Sequence, residues 1–246
     1  MQNCYECAKK MWTGSQYWEG NRRWHQCRNC GHWQLEVPPQ GLRIPAKVLY
    51  FDIETSLIEM TVKVFDMRVH SGWLDWHDIT RPFYVISWAA AWVDEHEPRV
   101  HSGAVTAYEA RRRSDKRHLR RLWDMMDLAD YCVGHNSKSF DHKKVETRFL
   151  LNNMGAPSEY KTRDTLTMAR KHFKAESNAL DYWMRLIKGQ QKEHMVREDW
   201  EAANKGDQKT INKMERYNRG DVMSGIQLLK AFMAHIESSG CKRLFP

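Results

Sequence analysis

The clearest pattern along the chain is a short, almost wholly apolar run from Lys47 to Glu54 (KVLYFDIE), the mark of a strand buried on both faces. A second run, Pro82 to Val93 (PFYVISWAAAWV), predicts another strand about thirty residues later. Pro98 to Val105 can pair with it as a hairpin through the turn Asp94-Glu95-His96-Glu97. From Tyr108 to Ala129 the spacing predicts one basic helix, with Leu119, Leu122, Trp123 and Met126 on its apolar face. Tyr131 to Gly134 reads as a short strand, Phe140 to Met154 as a helix and Lys161 to Thr165 as a fifth strand. Most of the remainder is helical in pattern, ending in a long helix from about Lys209 to Glu237 with the stripe Val222, Ile226, Leu229 and Met233. Strands and helices in this order make an α/β domain.

Ahead of it lies a different kind of segment. Cys4-x-x-Cys7 and Cys27-x-x-Cys30-Gly31 are separated by nineteen residues, a spacing suited to a four-cysteine zinc ribbon. The four thiolates complete a tetrahedral shell for one structural Zn²⁺, which leaves His25 and His32 as non-ligands. So short a segment buries little core, so the metal supplies much of its folding energy. The prolines and glycine of Glu36 to Pro45 mark a linker. The expected organisation is a zinc ribbon at 1–36, a linker at 37–46 and the α/β domain at 47–246. Cys132 reads as a buried strand thiol and Cys241 as a tail residue.

The 246 residues carry a formal net charge of +8 and a sequence pI near 9.2, which favours a polyanionic partner. In the ribbon, Trp12, Tyr17, Trp18, Trp24 and Trp33 interleave with Lys9, Lys10, Arg22, Arg23 and Arg28, a mixture suited to stacking bases and pairing phosphates. The alternative is that these aromatics fill a small core. Arg111, Arg112, Arg113, Lys116, Arg117, Arg120 and Arg121 would form a dense basic helix surface. No apolar run has the length of a membrane helix, and the N-terminus lacks an apolar leader. A cytoplasmic protein with no membrane partner is expected.

The informative polar residues are acids. Asp52 and Glu54 lie two apart in the first strand, so both side chains leave the same face. Paired carboxylates in an apolar strand repel and are costly to desolvate, and a divalent cation removes both penalties. Strand ends also carry acids simply exposed to water. Asp141 stands at a helix start, where it can cap. Tyr217 and Asp221 are four apart, on one face of the last helix.

Together these segments resemble the DEDD 3′→5′ exonucleases, in the subclass with a tyrosine in the last motif. Asp52-Ile53-Glu54 matches its D-x-E motif. Asn136 to Asp141 matches the Asn-x-x-x-Phe-Asp of family B polymerase proofreading domains, and Tyr217 to Asp221 matches Tyr-x-x-x-Asp. The resemblance covers about 47–233 and implies an RNase H-like fold, a mixed five-stranded sheet flanked by helices. It implies that Asp52, Glu54, Asp141 and Asp221 hold two Mg²⁺ or Mn²⁺ ions about 3.5–4 Å apart, while Tyr217 orients the attacking water. Asn136 and Phe140 would border the terminal nucleotide. Asp164 is a fifth acid that either caps the next helix or touches metal or substrate. Lys188, Lys192 and His194 could meet the substrate backbone, or belong to a solvated loop. The implied partner is single-stranded or 3′-ended DNA, with a replication or repair protein as a further one, in a nuclease of phage or bacterial DNA metabolism. Two other classes fit less of the pattern. They are an RNase H-like transposase or resolvase, and a zinc-ribbon nucleic-acid adaptor with an inactive nuclease fold.

Overall fold

A computed structural model describes residues 13–19, 22–27, 30, 33–35, 46–64, 74–93, 98–189 and 194–238. The chain divides into two compact units, Met1–Ala46 and Lys47–Phe245. In the first, β1 (Thr13–Glu19), β2 (Arg22–Cys27) and β3 (Trp33–Leu35) form an antiparallel meander. Cys27 ends β2 and is buried, and Cys30 is exposed in the turn that leads to β3. The second C-x-x-C pair therefore sits at a strand-to-strand turn. Cys4 and Cys7, like Lys192 in the larger unit, lie outside the described residues.

The larger unit begins with β4 (Val48–Thr55). Next come the short antiparallel pair β5 (Glu59–Met60) and β6 (Ile79–Arg81), then β7 (Val85–Trp92) and β8 (His101–Ala104). Helices α1 (Ala107–Arg112) and α2 (Lys116–Asp127) precede β9 (Tyr131–Gly134), α3 (Asp141–Leu151) and β10 (Lys161–Asp164). The chain then runs through α4 (Thr165–His172), α5 (Leu180–Lys188), α6 (Arg197–Asn204) and α7 (Gln208–Ser238). The sheet order is β10-β9-β4-β7-β8, with β10, β9 and β4 parallel and β4, β7 and β8 antiparallel. This is an α/β unit whose mixed five-stranded sheet is flanked by helices, consistent with an RNase H-like fold. Among the described residues no helix is long and apolar enough to cross a membrane.

Strand β4 is central, and its period of two divides it between two environments. Leu49, Phe51 and Ile53 enter a core built with Leu119, Leu122 and Met126 of α2 and Val145 and Phe149 of α3. Tyr50, Asp52 and Glu54 leave the other face, where α7 packs across β4, β7 and β8. One extra residue, Ile86, stands in β7 between the partners of Glu54 and Thr55. This bulge turns both Ile86 and Ser87 to α7: Ile86 packs with Ile211 and Met214, and Ser87 hydrogen-bonds Asn218.

The expected single helix over 108–129 is two helices. Helix α1 stops at Arg113, whose φ of 53° is left-handed, and α2 restarts at Lys116. Such backbone costs about 1 kcal/mol or more for a non-glycine residue. The Arg113 guanidinium offsets it by donating to Ser56 Oγ (3.0 Å), Leu57 O (2.8 Å), Pro82 O (2.7 Å), Glu59 Oε1 (3.0 Å) and Asn204 Oδ1 (3.2 Å). It also lies 5.0 Å over the Tyr84 ring. Asp115 next to the break does not cap α2. Its fully buried carboxylate instead takes two bonds from Arg148, at 2.7 and 2.8 Å, and one each from Asn152 Nδ2 and Val85 N–H. The basic run is accordingly no continuous stripe: Arg113 turns inward, Arg117 pairs with Glu109 and Arg120 with Asp124.

Helix α7 approaches β4 so closely that only glycine fits at one crossing point. A Cβ on Gly225 would lie 2.1 Å from the Tyr50 ring and hydroxyl, whereas one on Gly220 would meet nothing within 4 Å. Gly225→Ala is therefore expected to lower the unfolding free energy by about 1–3 kcal/mol or more through overpacking. Gly220→Ala should raise it by up to about 1 kcal/mol, since alanine favours the helix. Urea denaturation of the two variants checks the opposite signs.

Candidate metal centre

The face of β4 that meets α7 gathers three of the predicted acids. Asp52 and Glu54 from β4 and Asp221 from α7 each place a carboxylate oxygen within 4.8 Å of the other two. Asp221 is buried, and the two strand acids are half-buried. Two unit charges 4 Å apart repel by about 4 kcal/mol at the effective dielectric of a protein surface. The donor set is all carboxylate oxygen, the type that hard divalent cations such as Mg²⁺ and Mn²⁺ prefer. Tyr217 is half-buried, one turn before Asp221 on the same helix face.

A residue inside the third motif that sequence reasoning passed over holds this group together. Asn218 is fully buried, and its side-chain amide donates to Asp52 Oδ2 at 2.5 Å. Its carbonyl oxygen accepts from Ser87 Oγ at 2.6 Å, which fixes the orientation of the amide. The signal was present but faint. Ser87 is a lone hydroxyl among the apolar residues of β7, and Asn218 is a polar residue on the packed face of a helix. Tyr50 was also missed. Burial raises its phenol well above the ordinary tyrosine value, and Asp52, Asp141 and Asp164 raise it further, so it packs as a neutral group.

Asp141 stands outside the set of three. Its Oδ1 accepts from the backbone N–H of Ile53 at 3.1 Å, between the two strand acids. The pairing of β4 with β9 runs only from Val48 to Tyr50, so Asp141 takes over a donor that the sheet leaves open. Gly134 permits the approach, because a Cβ there would lie 2.9 Å from Phe51 O and 2.5 Å from Ser137 Cβ. Burial pushes the Asp141 carboxyl up to about 7, the Ile53 bond and its own backbone N–H oppose this, and the charge of Asp164 adds to it.

Asp164 caps α4 and braces the loop beside it. Its carboxylate accepts from Leu166 and Thr167 N–H (2.9 and 3.4 Å) and from Asn136 and Lys138 N–H, each at 3.0 Å. Of the two roles open to it, capping is the one its contacts fill. Asn136 has a left-handed φ of 62° and is exposed, and its Oδ1 accepts from Ser139 Oγ at 2.8 Å. It lines a cleft of about 330 Å³ with Lys138, Lys143 and Arg170. Phe140 is 42 % exposed, a large ring left open to solvent immediately before Asp141.

A scan against models of known protein families finds no match, and a search of curated proteins finds none similar to this chain. The chemistry of the chain thus rests on the site itself.

The raised Asp141 carboxyl has a measurable consequence. Between the ordinary carboxylate value of 3.8 and about 7, the native chain holds a proton that the unfolded chain has lost. The stability linked to that proton is fully present below pH 3.8 and is lost as pH rises through 7. Asp141→Asn cannot ionise, so without added divalent cation it should lose less stability than wild type between pH 4.5 and pH 7.5. Urea midpoints at the two pH values give the comparison.

Proposed function

We propose that this chain is a metal-dependent 3′→5′ exonuclease that hydrolyses phosphodiester bonds of nucleic acid, with DNA favoured. The observation that carries the reading is the convergence of Asp52, Glu54 and Asp221 on one point, with oxygens within 4.8 Å. These three carboxylates would hold divalent cations, Mg²⁺ or Mn²⁺. Bound there, the cations supply activation of water near neutral pH and stabilisation of a departing 3′ oxygen. The side chains do the remaining work. Asn218 fixes the rotamer of Asp52, and the Tyr217 hydroxyl orients the attacking water. Asp141 supports the strand between the two acids and completes the D, E, D, D set of the family it resembles. Asn136 and Phe140 border the terminal nucleotide.

At the N-terminus, one structural Zn²⁺ on Cys4, Cys7, Cys27 and Cys30 is part of the same reading. It is supported by the placement of Cys27 at the end of β2 and of Cys30 in a turn three residues later.

The test is a ladder assay on 5′-labelled single-stranded DNA and RNA with Mg²⁺, Mn²⁺ or EDTA. A metal-dependent ladder that shortens from the 3′ end is expected. Asp52→Ala should abolish it, and Tyr217→Phe should slow it by about 10²-fold, as for a lost proton-handling group. Cuts inside a circular substrate, or an undiminished ladder from Asp52→Ala, would refute the assignment.

A further inference from the structure

Immediately beyond the acid-bearing strand is a second cleft of about 680 Å³. Its floor is Leu57 and Ile58, three and four residues after Glu54. At 3.3–3.6 Å per extended residue, Leu57 is at most about 11 Å along the chain from that acid. The walls come from α1, β6 and α6: Arg81, Arg111, Arg197 and Lys205 face only two carboxylates, Glu59 and Glu201.

Those carboxylates are poorly placed to neutralise the cations. Glu59 already accepts from Arg113 at 3.0 Å and Asn204 at 2.8 Å, so Arg81 reaches it only at 3.7 Å. Glu201 pairs with Arg197 in an exposed i,i+4 bridge, a type worth little in water. Among the described residues neither Arg111 nor Lys205 has an acidic partner. The floor is held rigid from below, because Arg113 binds Ser56 Oγ, Leu57 O and Glu59 together. Ile58 is 47 % exposed in the cleft, an apolar surface beside the charges.

We infer that this cleft is a phosphate track for the single strand whose 3′ end lies at Asp52, Glu54 and Asp221, with Arg111 and Lys205 as its principal cations. The inference rests on the exonuclease reading and adds the path of the substrate. Cations without acidic partners next to a small apolar surface match a chain of phosphates and bases.

The test measures binding without turnover. A fluorescein-labelled 20-nucleotide oligothymidylate is titrated with the zinc-loaded full chain without added Mg²⁺ or Mn²⁺, by anisotropy, from 50 to 200 mM KCl. Arg111→Gln combined with Lys205→Gln should bind more weakly. It should also flatten the plot of log affinity against log salt by about 1.4, the value for two lost contacts to a single strand. Lys161→Gln combined with Lys230→Gln removes two exposed lysines outside the cleft and should leave the slope at the wild-type value. The inference is overturned if the cleft variant keeps the wild-type slope, or if both double variants lose it equally. It is also overturned if poly-L-glutamate displaces the oligonucleotide as well as unlabelled oligothymidylate does, which would make the cleft a seat for an acidic polypeptide. The two readings separate cleanly. A 3′→5′ ladder with unchanged cleft-variant binding leaves the exonuclease and removes the track; a flattened slope without hydrolysis does the reverse.

Discussion

Three carboxylates held within 4.8 Å of one another repel, and the rest of the larger unit depends on how that repulsion is contained. Asp52 and Glu54 cannot separate, because β4 is paired with β7 at both positions and Asp141 holds the Ile53 N–H between them. Asp221 cannot retreat, because α7 is a 31-residue helix pinned by the contact of Gly225 with Tyr50 and by Val222, Ile226 and Leu229 in the core. The bulge at Ile86 lets Ser87 reach Asn218, and Asn218 holds Asp52. The acids are thus imposed on one another by strand pairing and helix packing. A cation bound there, as proposed, would turn that arrangement from a cost into a stabilising contact.

The surroundings of the site use polar side chains in place of regular backbone pairing. Where β9 diverges from β4, the Asp141 carboxylate satisfies Ile53 N–H. Where the chain leaves β10, Asp164 satisfies four backbone donors and fixes the 136–138 loop. Where it leaves β4, Arg113 closes over Ser56 and Leu57. A buried backbone group must find a partner, and these three residues supply one at each point where the sheet frays toward the site.

What could be read in the sequence follows from periodicity. The apolar run around Tyr50 and Phe51 identifies β4, and the period of two places Asp52 and Glu54 on one face without any tertiary information. The 3.6-residue stripe of α7 is equally plain. That Asp221 meets those two acids is not a periodic property; it came from the resemblance of the motifs, and the packing of α7 across β4 brings it about. The break at Arg113 escaped notice because arginine is a good helix former, and only its tertiary partners make the left-handed turn worthwhile. Asp115 and Asp164 show the same ambiguity with opposite outcomes. Each precedes a helix, yet Asp164 caps while Asp115 serves a buried arginine. Asn218 is invisible to pattern reading because its role depends on Ser87, 131 residues away in the chain.

A divalent-cation site at Asp52, Glu54 and Asp221 is tested by the thermal midpoint of the zinc-loaded chain with and without Mn²⁺, beside Asp221→Asn. A cation that binds only the native state stabilises it by about 2.7 kcal/mol at a hundredfold excess over its dissociation constant. Mn²⁺ is expected to raise the wild-type midpoint. Asp221→Asn is expected to raise the midpoint in the absence of added Mn²⁺ by relieving repulsion, and to abolish the response to Mn²⁺. A wild-type midpoint indifferent to Mn²⁺, or a variant that responds as wild type does, would contradict such a site.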